Sequence, residues 1–331
     1  MQVKDIGEQG LLRILQKFCP AEIVGDDCAV MPTNPNQSLA ITTDMLVDGV
    51  HFSDRTTGPY YAGWRAAAAN LSDLAAMGAK PLAVTVALAV AADTAVEWVE
   101  EFYRGMTACL QEYHTPIVGG DVVRSPVVTV AITAFGQVEC DRTISRSNAR
   151  SGWAIVATGV HGASRAGLEL LLNPEFGQNL EKVDRASLIL AHQCPKPRLD
   201  VLPIVWEILD SAGEFSIAGM DSSDGLADAI IQICRASGVG AKVDRTKLPI
   251  PDIFSEILST EKALDWALYG GEDFELVLFL PITSAQLLVE KIGNGAAIVG
   301  TATDSTDIWL TDSSGVYPDI VLKLDRGFQH F

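Results

Sequence analysis

Residues 41–52 read Ile41-Thr42-Thr43-Asp44-Met45-Leu46-Val47-Asp48-Gly49-Val50-His51-Phe52. An apolar run over residues 39–41 leads into two hydroxyl side chains and a carboxylate, and an Asp-Gly turn then carries the chain to His51. The pattern predicts a strand over residues 39–43 that ends at Asp44. Its polar side chains are hard oxygen donors with no cysteine beside them, and such donors suit Mg²⁺ better than zinc.

Acidic residues recur beside glycine or hydroxyl-bearing residues along the whole chain. Further segments of this composition are Gly25-Asp26-Asp27, Asn70-Leu71-Ser72-Asp73, Gly119-Gly120-Asp121, Asp221-Ser222-Ser223-Asp224-Gly225 and Gly270-Gly271-Glu272-Asp273. Mg²⁺ that is held by a few carboxylates usually bridges to the phosphates of a substrate. The pattern therefore favours an acidic site that holds several metal ions and a polyphosphate.

Length and composition limit the classes of protein to which the chain can belong. At 331 residues it is long for one core, so two domains of ordinary size are expected. With 48% hydrophobic and 20% charged residues, the chain is globular. Its formal net charge of -18 argues against a nucleic-acid partner, because phosphate backbones are held mainly by Lys and Arg. A nucleotide is compatible with this charge if metal ions supply the positive charge.

Cysteine usage and hydropathy indicate the compartment. The 6 cysteines include no Cys-x-x-Cys pair, and no secretory signal precedes them, so we expect reduced thiols in a cytoplasmic protein. No apolar run approaches the ~20 residues that a membrane span needs, so no membrane partner is expected.

Local patterns predict alternating helices and strands in the first half. Helices are predicted over residues 6–18, 60–77 and 94–114, and strands over residues 82–90, 116–118 and 127–137. Thr94 and Glu97 form a capping box for the third helix. The strand over residues 82–90 does not alternate in polarity, which predicts burial on both faces.

A polar and basic connector over residues 141–152 separates the halves, and it predicts domains at 1–140 and 150–331. Helices are predicted over residues 163–172, 183–193, 199–212, 226–237, 261–269 and 285–292, and strands over residues 153–158, 215–218, 274–279, 297–300 and 308–310. The order of strand, acidic glycine-containing loop and helix around Asp221 brings backbone N–H groups and carboxylates to one place.

Motifs of the common nucleotide-binding and hydrolase folds are missing from the sequence. It has no Gly-x-x-x-x-Gly-Lys-Ser/Thr segment, no Gly-x-Gly-x-x-Gly after a strand, and no His-Arg-Asp or Asp-Phe-Gly kinase signature. A Gly-x-Ser-x-Gly elbow is missing too, which disfavours serine hydrolysis. Phosphoryl transfer at a metal site fits what is present, because in that chemistry the protein mainly positions groups and the metal ions neutralise charge.

Six motifs carry a resemblance to a known family. They are Gly25-Asp26-Asp27-Cys28-Ala29, Thr42-Thr43-Asp44 with His51-Phe52, residues 70–79, Gly119-Gly120-Asp121, Asp221-Ser222-Ser223-Asp224-Gly225, and Gly270-Gly271-Glu272-Asp273-Phe274-Glu275. In this order and spacing they resemble the thiamine-monophosphate kinase family along nearly the whole chain. The resemblance implies a two-domain fold of the aminoimidazole-ribotide synthetase type. Its N-terminal α/β domain forms a β-barrel with that of a partner in a homodimer, and its C-terminal domain is α+β.

The resemblance also implies a reaction and roles for individual residues. ATP and thiamine monophosphate would give ADP and thiamine diphosphate, with Mg²⁺ as cofactor. By position, Mg²⁺ would be held by Asp27, Thr42, Thr43, Asp44, Asp73, Asp121, Asp221 and Asp224, ATP by Tyr103, Gly120, Asp121, Arg146 and Ser223, and the thiamine moiety by His51, Glu272 and Phe328. Catalysis would depend on Asp44, Asp73, Asp121 and Arg146. The chain departs from the family pattern at Ser222, where some relatives carry leucine, and at Phe328, which replaces a tyrosine or tryptophan.

The residues themselves are consistent with direct in-line transfer. The acceptor would be a phosphate oxygen that is already ionised near neutral pH, so the reaction needs no strong general base. Arg142, Arg146 and Arg150 concentrate positive charge that would offset the repulsion between two phosphorylated substrates. By contrast, His114, His161 and His192 are predicted to be structural.

Other functions are also compatible with the sequence. The chain could be another enzyme of the same superfamily, such as an aminoimidazole-ribotide synthetase or a selenophosphate synthetase. The latter should carry an early reactive cysteine with a lysine, a setting that Cys19 and Cys28 lack, and a hydrogenase-maturation relative should end in a cysteine rather than Phe331. A non-catalytic module that binds ATP and Mg²⁺ as a dimer is an alternative from a different class, as is an acidic storage or scaffold protein.

Overall fold

The computed structural model describes residues 1–20, 31, 33–214, 216–293, 295–323 and 327. The chain divides into two compact units. The first unit contains Met1–Leu74 and Ala79–Cys140, and the second contains Ala75–Gly78 and Asp141–Phe331. Within the described ranges, no helix combines the length and the apolar character that crossing a membrane requires.

The first unit is built on a mixed sheet. Its described strands are β1 (Gln37–Val47), β2 (Lys80–Val90), β3 (Ile117–Arg124) and β4 (Thr129–Glu139), in the spatial order β1-β4-β2-β3. The β2/β3 pair is parallel, whereas the β1/β4 and β4/β2 pairs are antiparallel. The helices of this part of the chain are α1 (Val3–Leu15), which continues as a 3-10 turn over Gln16–Phe18, α2 (Pro59–Ala76) and α3 (Val96–Glu112).

Two glycines allow α2 and α3 to approach each other closely. A Cβ atom on Gly105 would lie 1.7 Å from the carbonyl oxygen of Tyr60, and one on Gly63 would lie 1.9 Å from that of Phe102. Only glycine fits at such a contact, because any side chain would overlap the neighbouring backbone. The close packing fixes the position of α2, the helix that carries Asp73.

One face of the four-stranded sheet is covered, and the other is open in the single chain. On the covered face, residues such as Ile132 and Val86 are 1% exposed. On the other face, Leu39, Ile41 and Met45 of β1 are 49%, 59% and 56% exposed. The alternation follows from the strand geometry, in which successive side chains point to opposite faces.

The prediction that the strand over residues 82–90 is buried on both faces is wrong for the single chain. Ala87 on β2 is exposed, and Leu82, Thr85 and Ala89 are only half-buried. A run of small and apolar residues hides the alternation in the sequence, because alanine and leucine occur on both faces. The structure therefore shows a one-sided sheet where the composition predicts a two-sided one.

Two strands run past the residues at which the sequence predicts their ends. β1 continues beyond Asp44 to Val47, and β3 contains Gly119-Gly120-Asp121 and ends at Arg124. The reason is pairing, since every residue of β1 is matched with a residue of β4, and the hydrogen-bonded ladder keeps polar side chains in extended backbone. Gly120 is required in this ladder, because a Cβ atom there would lie 2.0 Å from the carbonyl oxygen of Val86.

The predicted capping box at the start of α3 is also wrong. The helix begins at Val96, and the residue before it is Ala95, whose methyl group cannot cap a helix. The N-terminus of the chain explains the later start. Val3 N–H donates to the Thr94 carbonyl at 2.9 Å, and Lys4 N–H donates to the Ala92 carbonyl at 2.8 Å, so this segment is held in extended pairing.

The second unit contains a seven-stranded sheet with helices. Its described strands are β5 (Ala154–Ala157), β6 (Ala218–Asp221), β7 (Gly240–Asp244), β8 (Leu276–Leu280), β9 (Ala297–Thr303), β10 (Ile308–Thr311) and β11 (Ile320–Val321), in the order β11-β10-β7-β9-β5-β8-β6. Only the β10/β7 pair among these is parallel. The described helices are α4 (Ala163–Leu172), α5 (Lys182–Gln193), α6 (Leu202–Ala212), α7 (Leu226–Ser237), α8 (Phe254–Ile257), α9 (Thr260–Tyr269) and α10 (Ile282–Ile292).

Both faces of this larger sheet are buried at β5, β6 and β8. Alternate residues of β8 belong to two separate hydrophobic cores: Val277 and Phe279 pack in the core that contains α7, whereas Leu276 and Leu278 pack in the core that contains α6 and α10. The strand is therefore apolar throughout, as a strand with helices on both faces should be.

In the second unit, the helices begin and end close to the residues that the sequence predicts. The predicted helices over residues 163–172 and 226–237 are confirmed without change. The strand before the acidic loop is displaced, since β6 ends on Asp221 whereas the prediction covers residues 215–218. β8 begins at Leu276 rather than at residue 274, because Phe274 has a φ of 52°, which is incompatible with a strand.

Candidate active site

Three of the predicted Mg²⁺ ligands come together in the first unit, between β1 and α2. The Thr42 hydroxyl donates a hydrogen bond to the Asp73 carboxylate, and the Asp44 backbone N–H donates to the Asn70 side-chain oxygen at 3.2 Å. Thr42 and Asp44 share one face of β1 because strand side chains alternate, and Asn70 and Asp73 share one face of α2 because of their spacing. We call Thr42, Asp44 and Asp73 the β1–α2 oxygen group.

Thr43, Gly120 and Asp121 lie apart from this group. The Thr43 side chain points to the opposite face of β1, where its hydroxyl oxygen is 2.8 Å from that of Thr133. Gly120 shares a row of the sheet with Asp44, but it lies on β3, three strand spacings or roughly 14 Å away along the sheet. The exposed Asp121 follows it on the same edge strand. The structure therefore places Thr43 at one edge of the sheet, on β1, and Gly120 and Asp121 at the other edge, on β3.

His51 lies in the turn that follows β1 and is half-buried. Its Nδ1 accepts a hydrogen bond from the Val47 N–H at 3.1 Å, so Nε2 carries the proton of the neutral ring. Arg65 on α2 donates to the His51 carbonyl at 3.3 Å and is only 3% exposed. Arg65 is not among the site residues predicted from the sequence. The sequence nevertheless contains a signal for it. Arg65 is a basic residue inside a helix of small residues, and a charge that is buried there needs a partner.

Tyr103 does not lie at an open surface. Its ring packs against those of Phe18 and Phe102, with centroid distances of 5.5 and 6.2 Å, and the residue is 4% exposed. Burial, and secondarily Cys19, raises the pKa of its hydroxyl far above the ordinary value. The structure therefore places this predicted ATP contact among aromatic neighbours of the first unit, with its ring turned away from solvent in the single chain. Two further predicted residues, Asp27 and Phe328, lie outside the described residues.

Three predicted site residues of the second unit lie at the start of α7. Asp221 is the last residue of β6 and is 3% exposed, and the Ser223 hydroxyl donates to its carboxylate at 3.1 Å. Asp224 is exposed, and Gly225, with a φ of 109°, then turns the chain into the helix. Backbone N–H groups at a helix N-terminus attract anions such as phosphates. We call residues 221–225 the acid loop.

A second loop, residues 270–275, contacts the acid loop through the backbone, and we call it the glycine loop. Glu272 N–H donates to the Ser223 carbonyl at 2.7 Å. Gly271 must be glycine, because its φ is 68° and a Cβ atom would lie 2.8 Å from the Ser223 carbonyl oxygen. Glu272 itself has a φ of 58°, a left-handed conformation that is uncommon for residues other than glycine. The structure thus brings the predicted thiamine contact Glu272 beside the predicted ATP contact Ser223.

The two remaining acids of the glycine loop are mostly buried and hold neighbouring segments. Asp273 accepts hydrogen bonds from the Gly162 and Ser164 N–H groups at 2.7 and 2.9 Å, and it thereby caps α4. Burial raises the pKa of Asp273 to about 7, despite these two hydrogen bonds. Glu275 forms an ion pair with Arg198 and accepts from the Thr158 hydroxyl at 2.6 Å. Arg198 is not among the predicted site residues; it follows Pro197, immediately before the helix predicted over residues 199–212.

Of the three histidines predicted to be structural, His161 and His192 are buried, and each is linked to one of these loops, whereas His114 is exposed. His192 Nδ1 lies 3.7 Å from the Glu272 carboxylate and 3.2 Å from the Ser164 hydroxyl. His161 contacts Ser222 of the acid loop. The sequence shows neither link, because both depend on chain segments that are distant in sequence.

Arg146 lies away from the acid loop. It begins a 3-10 turn over Arg146–Asn148, and its carbonyl accepts a hydrogen bond from the Ser237 hydroxyl at 2.7 Å. Ser237 ends α7, whereas the acid loop lies at the start of that helix, roughly 16 Å away along its axis. In the second unit, Arg146 is therefore not brought together with Asp221 and Ser223.

The side-chain oxygens of the β1–α2 oxygen group and of the acid loop are ligands of the kind that Mg²⁺ prefers, although neither group forms a complete metal cage. Within the part of the chain that the structure describes, no three His, Cys, Asp or Glu side chains are grouped closely enough to hold a metal ion. Mg²⁺ does not require such a cage, since it keeps several waters and binds through one or two carboxylates plus substrate phosphates. The β1–α2 oxygen group and the acid loop each offer two carboxylates with hydroxyl neighbours.

Comparison with known proteins identifies the class of the fold. Residues 25–138 match the family model of the AIR synthase related protein, N-terminal domain. The structure described as hydrogenase maturation protein HypE in complex with ATP superposes with a TM-score of 0.74 over 98% of this chain and 99% of that chain, at 19% identity. At that identity the likeness concerns the fold alone. The chain has the aminoimidazole-ribotide synthetase-like fold that the resemblance implied.

Relatives of higher identity identify the family. Thiamine-monophosphate kinase of Synechococcus elongatus is 48% identical over 99% of this chain and 98% of its own length, and that of Escherichia coli K12 is 38% identical over 82% and 80%. The structure described as "AaThiL complexed with AMPPCP and TMP" has a TM-score of 0.71 and 29% identity over 98% of this chain and 99% of that chain. The chain belongs to the thiamine-monophosphate kinase family, which is a family of phosphotransferases.

The raised pKa of Asp273 predicts a specific dependence of stability on pH. Because its pKa in the folded state, about 7, exceeds the unfolded value of 3.8, its contribution is fully present below about pH 4 and is lost as the pH rises through 7. Relative to Asp273→Asn, we expect the wild-type free energy of unfolding to fall by about 2 to 4 kcal/mol between pH 4 and pH 7.5. Urea unfolding of both proteins across this range measures the difference, and parallel curves would contradict the prediction.

Proposed function

We propose that the chain transfers the γ-phosphoryl group of ATP to thiamine monophosphate, giving ADP and thiamine diphosphate. The observation that carries this proposal is the match to thiamine-monophosphate kinases over essentially the whole chain, 48% identical over 99% of it. The solved relative described with AMPPCP and TMP supports the same pair of substrates, a nucleotide and a thiamine phosphate. Two groups of oxygen donors, the β1–α2 oxygen group and the acid loop, supply the chemistry that such substrates need.

We further propose that several Mg²⁺ ions are bound when the substrates are present. Thr42, Asp44 and Asp73 would provide one set of oxygen ligands, and Asp221 and Asp224 another, with Asp27 and Asp121 as further carboxylates. Bound Mg²⁺ would neutralise phosphate charge, which is the largest electrostatic obstacle when two phosphorylated substrates meet. In a chain with a formal charge of -18, bound cations would add to the positive charge that its basic residues supply.

In this proposal the protein residues bind and orient the substrates. Glu272 would contact the cationic thiamine moiety, and Ser223 beside it would contact ATP, because a backbone hydrogen bond of 2.7 Å keeps these two residues together. His51 would contact the thiamine moiety through Nε2, since its Nδ1 is occupied by the Val47 N–H. A phosphate acceptor is already ionised near neutral pH, so no side chain has to remove a proton from it.

The proposed function is tested by assaying product formation. Purified protein with Mg²⁺ and ATP should convert thiamine monophosphate to thiamine diphosphate, and it should not phosphorylate free thiamine. Formylglycinamidine ribotide serves as a parallel substrate, because ring closure of this compound defines the purine-type relatives. Turnover of the ribotide, without turnover of any thiamine compound, would overturn the proposed function while leaving the fold assignment intact.

Asp44 should be essential for turnover but not for folding. We expect Asp44→Asn to lower kcat by at least about 100-fold, because it removes a ligand charge from the β1–α2 oxygen group. The thermal midpoint should be unchanged or higher, since the nearby Asp73 carboxylate then has one fewer like charge beside it. The matched control is Asp54→Asn, an exposed acid in the turn after His51, which should retain full activity. Loss of folding in Asp44→Asn would show that the residue is structural instead.

We propose direct in-line transfer without a phosphorylated enzyme. The motivating observation is the chemistry of the site, where the groups brought together are carboxylates and hydroxyls beside a substrate phosphate that is itself a nucleophile. Rapid-quench experiments with γ-³²P-labelled ATP and no acceptor should leave the protein unlabelled. Radiolabel that is trapped on the protein and then chased into thiamine diphosphate would refute direct transfer.

We propose that the chain is a homodimer in which the open face of the four-stranded sheet is covered by a second copy. This face presents Leu39, Ile41 and Met45, which are apolar and roughly half exposed. Residues 1–140 would then be the domain that binds ATP and Mg²⁺ and dimerises, and residues 150–331 the second, α+β domain. We expect the enzyme to act in the cytoplasm, because its 6 cysteines include no Cys-x-x-Cys pair and are expected to be reduced.

Replacing one apolar residue of this face by an acid should disrupt the dimer. Light scattering of the wild-type protein should give twice the 35.4 kDa mass of one chain, and Ile41→Glu should shift the population toward monomers. The matched control is Val183→Glu on α5, where the native side chain is 76% exposed. A wild-type monomer, or an Ile41→Glu dimer as stable as the wild type, would contradict the proposed interface.

A further inference from the structure

His161 and Ser222 form a buried pair in the second unit. His161 Nε2 lies 3.0 Å from the Ser222 hydroxyl oxygen, and both residues are 0% exposed. Ser222 stands between Asp221 and Ser223 in the acid loop, and His161 stands just before α4. The pair therefore connects the acid loop to a segment that lies about sixty residues earlier in the chain.

The partners of the pair determine the direction of its hydrogen bond. His161 Nδ1 is 3.0 Å from the Gly159 carbonyl oxygen, and because a carbonyl can only accept, Nδ1 carries the ring proton. Burial lowers the pKa of His161 to about 4, so the ring is neutral and its Nε2 is an acceptor. The Ser222 hydroxyl therefore donates to His161, and its oxygen accepts from the Glu275 N–H at 3.2 Å.

The backbone of Ser222 is held as firmly as its side chain. Its N–H donates to the Glu275 carbonyl at 2.8 Å, and its own carbonyl accepts from the Gly225 N–H at 3.0 Å. All four polar groups of this residue thus have partners within the second unit. The His161 bond is the only one of them that anchors the acid loop to a segment other than itself and the glycine loop.

We propose that His161, acting through Ser222, is a positioning residue that fixes Asp221 and Ser223 in the orientation that takes Mg²⁺ and the nucleotide phosphates. This inference rests on the proposed function, since it assigns a role in binding Mg²⁺ and ATP. It goes beyond that function by giving a role to a residue that touches neither substrate. A purely structural His161 would affect stability alone, whereas a positioning His161 affects nucleotide affinity in protein that remains folded.

The first test removes one hydroxyl and compares two buried serines. Ser222→Ala removes the donor to His161, whereas the control Ser284→Ala removes a hydroxyl that donates to Glu214 at 2.9 Å from a residue that is 1% exposed. Calorimetric titration with Mg²⁺ and AMPPCP, well below the thermal midpoint of each protein, measures affinity. We expect about a tenfold weaker Kd for Ser222→Ala and less than a twofold change for Ser284→Ala, even if both thermal midpoints fall equally.

The second test changes the histidine and asks whether the two residues act as a unit. His161→Leu removes the acceptor, and it should weaken Mg²⁺-AMPPCP binding about as much as Ser222→Ala does. The double variant should bind no more weakly than either single variant, because the same interaction is lost only once. His161→Gln places an amide oxygen where it can accept from Ser222, so it should recover at least half of the lost affinity on a logarithmic scale.

Each alternative result has a definite meaning. Equal affinities for Ser222→Ala and Ser284→Ala, or losses that add in the double variant, would overturn the positioning role while leaving the nucleotide site in place. If His161→Leu does not fold, the comparison of the two serine variants and the Gln variant still decides the question. A wild-type protein that binds no Mg²⁺-AMPPCP would overturn the proposed function, and with it the basis of this inference.

Discussion

Carboxylates that lie out of water must be given partners, and this requirement shapes the second unit. Asp221, Asp273 and Glu275 meet where β6 ends and β8 begins. Asp273 is satisfied by two backbone N–H groups at the start of α4, and Glu275 by Arg198 and the Thr158 hydroxyl. Burial alone would lower the pKa of Arg198, but the charges and hydrogen bonds of Glu275 and Asp200 together outweigh it and raise the pKa. Because Arg198 stays charged, it can in turn hold the Glu275 carboxylate in place.

These pairings also explain why unfavourable backbone conformations persist in the glycine loop. Glu272 and Phe274 have φ values of 58° and 52°, which cost free energy for residues other than glycine. Such conformations survive only where the surroundings hold the chain on several sides. Here Asp273 between them is bonded to α4, and the Glu272 N–H is bonded to Ser223. The outcome is a loop whose shape is set before any substrate arrives, which lowers the entropy lost on binding.

Several features of this fold can be predicted from local sequence. The helix over Leu226–Ser237 has a strong apolar period and is bounded by Gly225 and Gly238, so its limits are predictable to the residue. The limits of strands are less predictable from local sequence. β1 continues past Asp44 only through its pairing with a strand about ninety residues away. The capping box at Thr94 fails for the same reason, since the N-terminus competes for that segment. Local patterns describe what a segment prefers, and distant pairing decides where it stops.

The same distinction between local patterns and distant pairing decides which residues of the candidate site can be predicted from the sequence. Asp73 could be foreseen because a carboxylate on a buried helix of small residues needs a partner, and the structure supplies Thr42. Arg198 and the loop contacts of His161 and His192 could not, because each depends on segments that the sequence does not place next to one another. The burial of Tyr103 could not be foreseen either. Its position in the chain fits a nucleotide contact, yet the apolar side of α3 turns its ring toward Phe18 and Phe102.

The pairing of β1 with β4 also has a consequence for how the chain is made. Gln37 pairs with Glu139, so a ribosome that has finished β1 at Val47 must add about 90 more residues before the whole strand can be matched. At about 5 to 20 residues per second this takes roughly 5 to 20 s, during which Leu39, Ile41 and Met45 have no strand beside them. Contacts of such long sequence separation also form slowly once the chain is complete. The nascent first unit is therefore a natural client for chaperones that shield apolar segments until synthesis has passed residue 139.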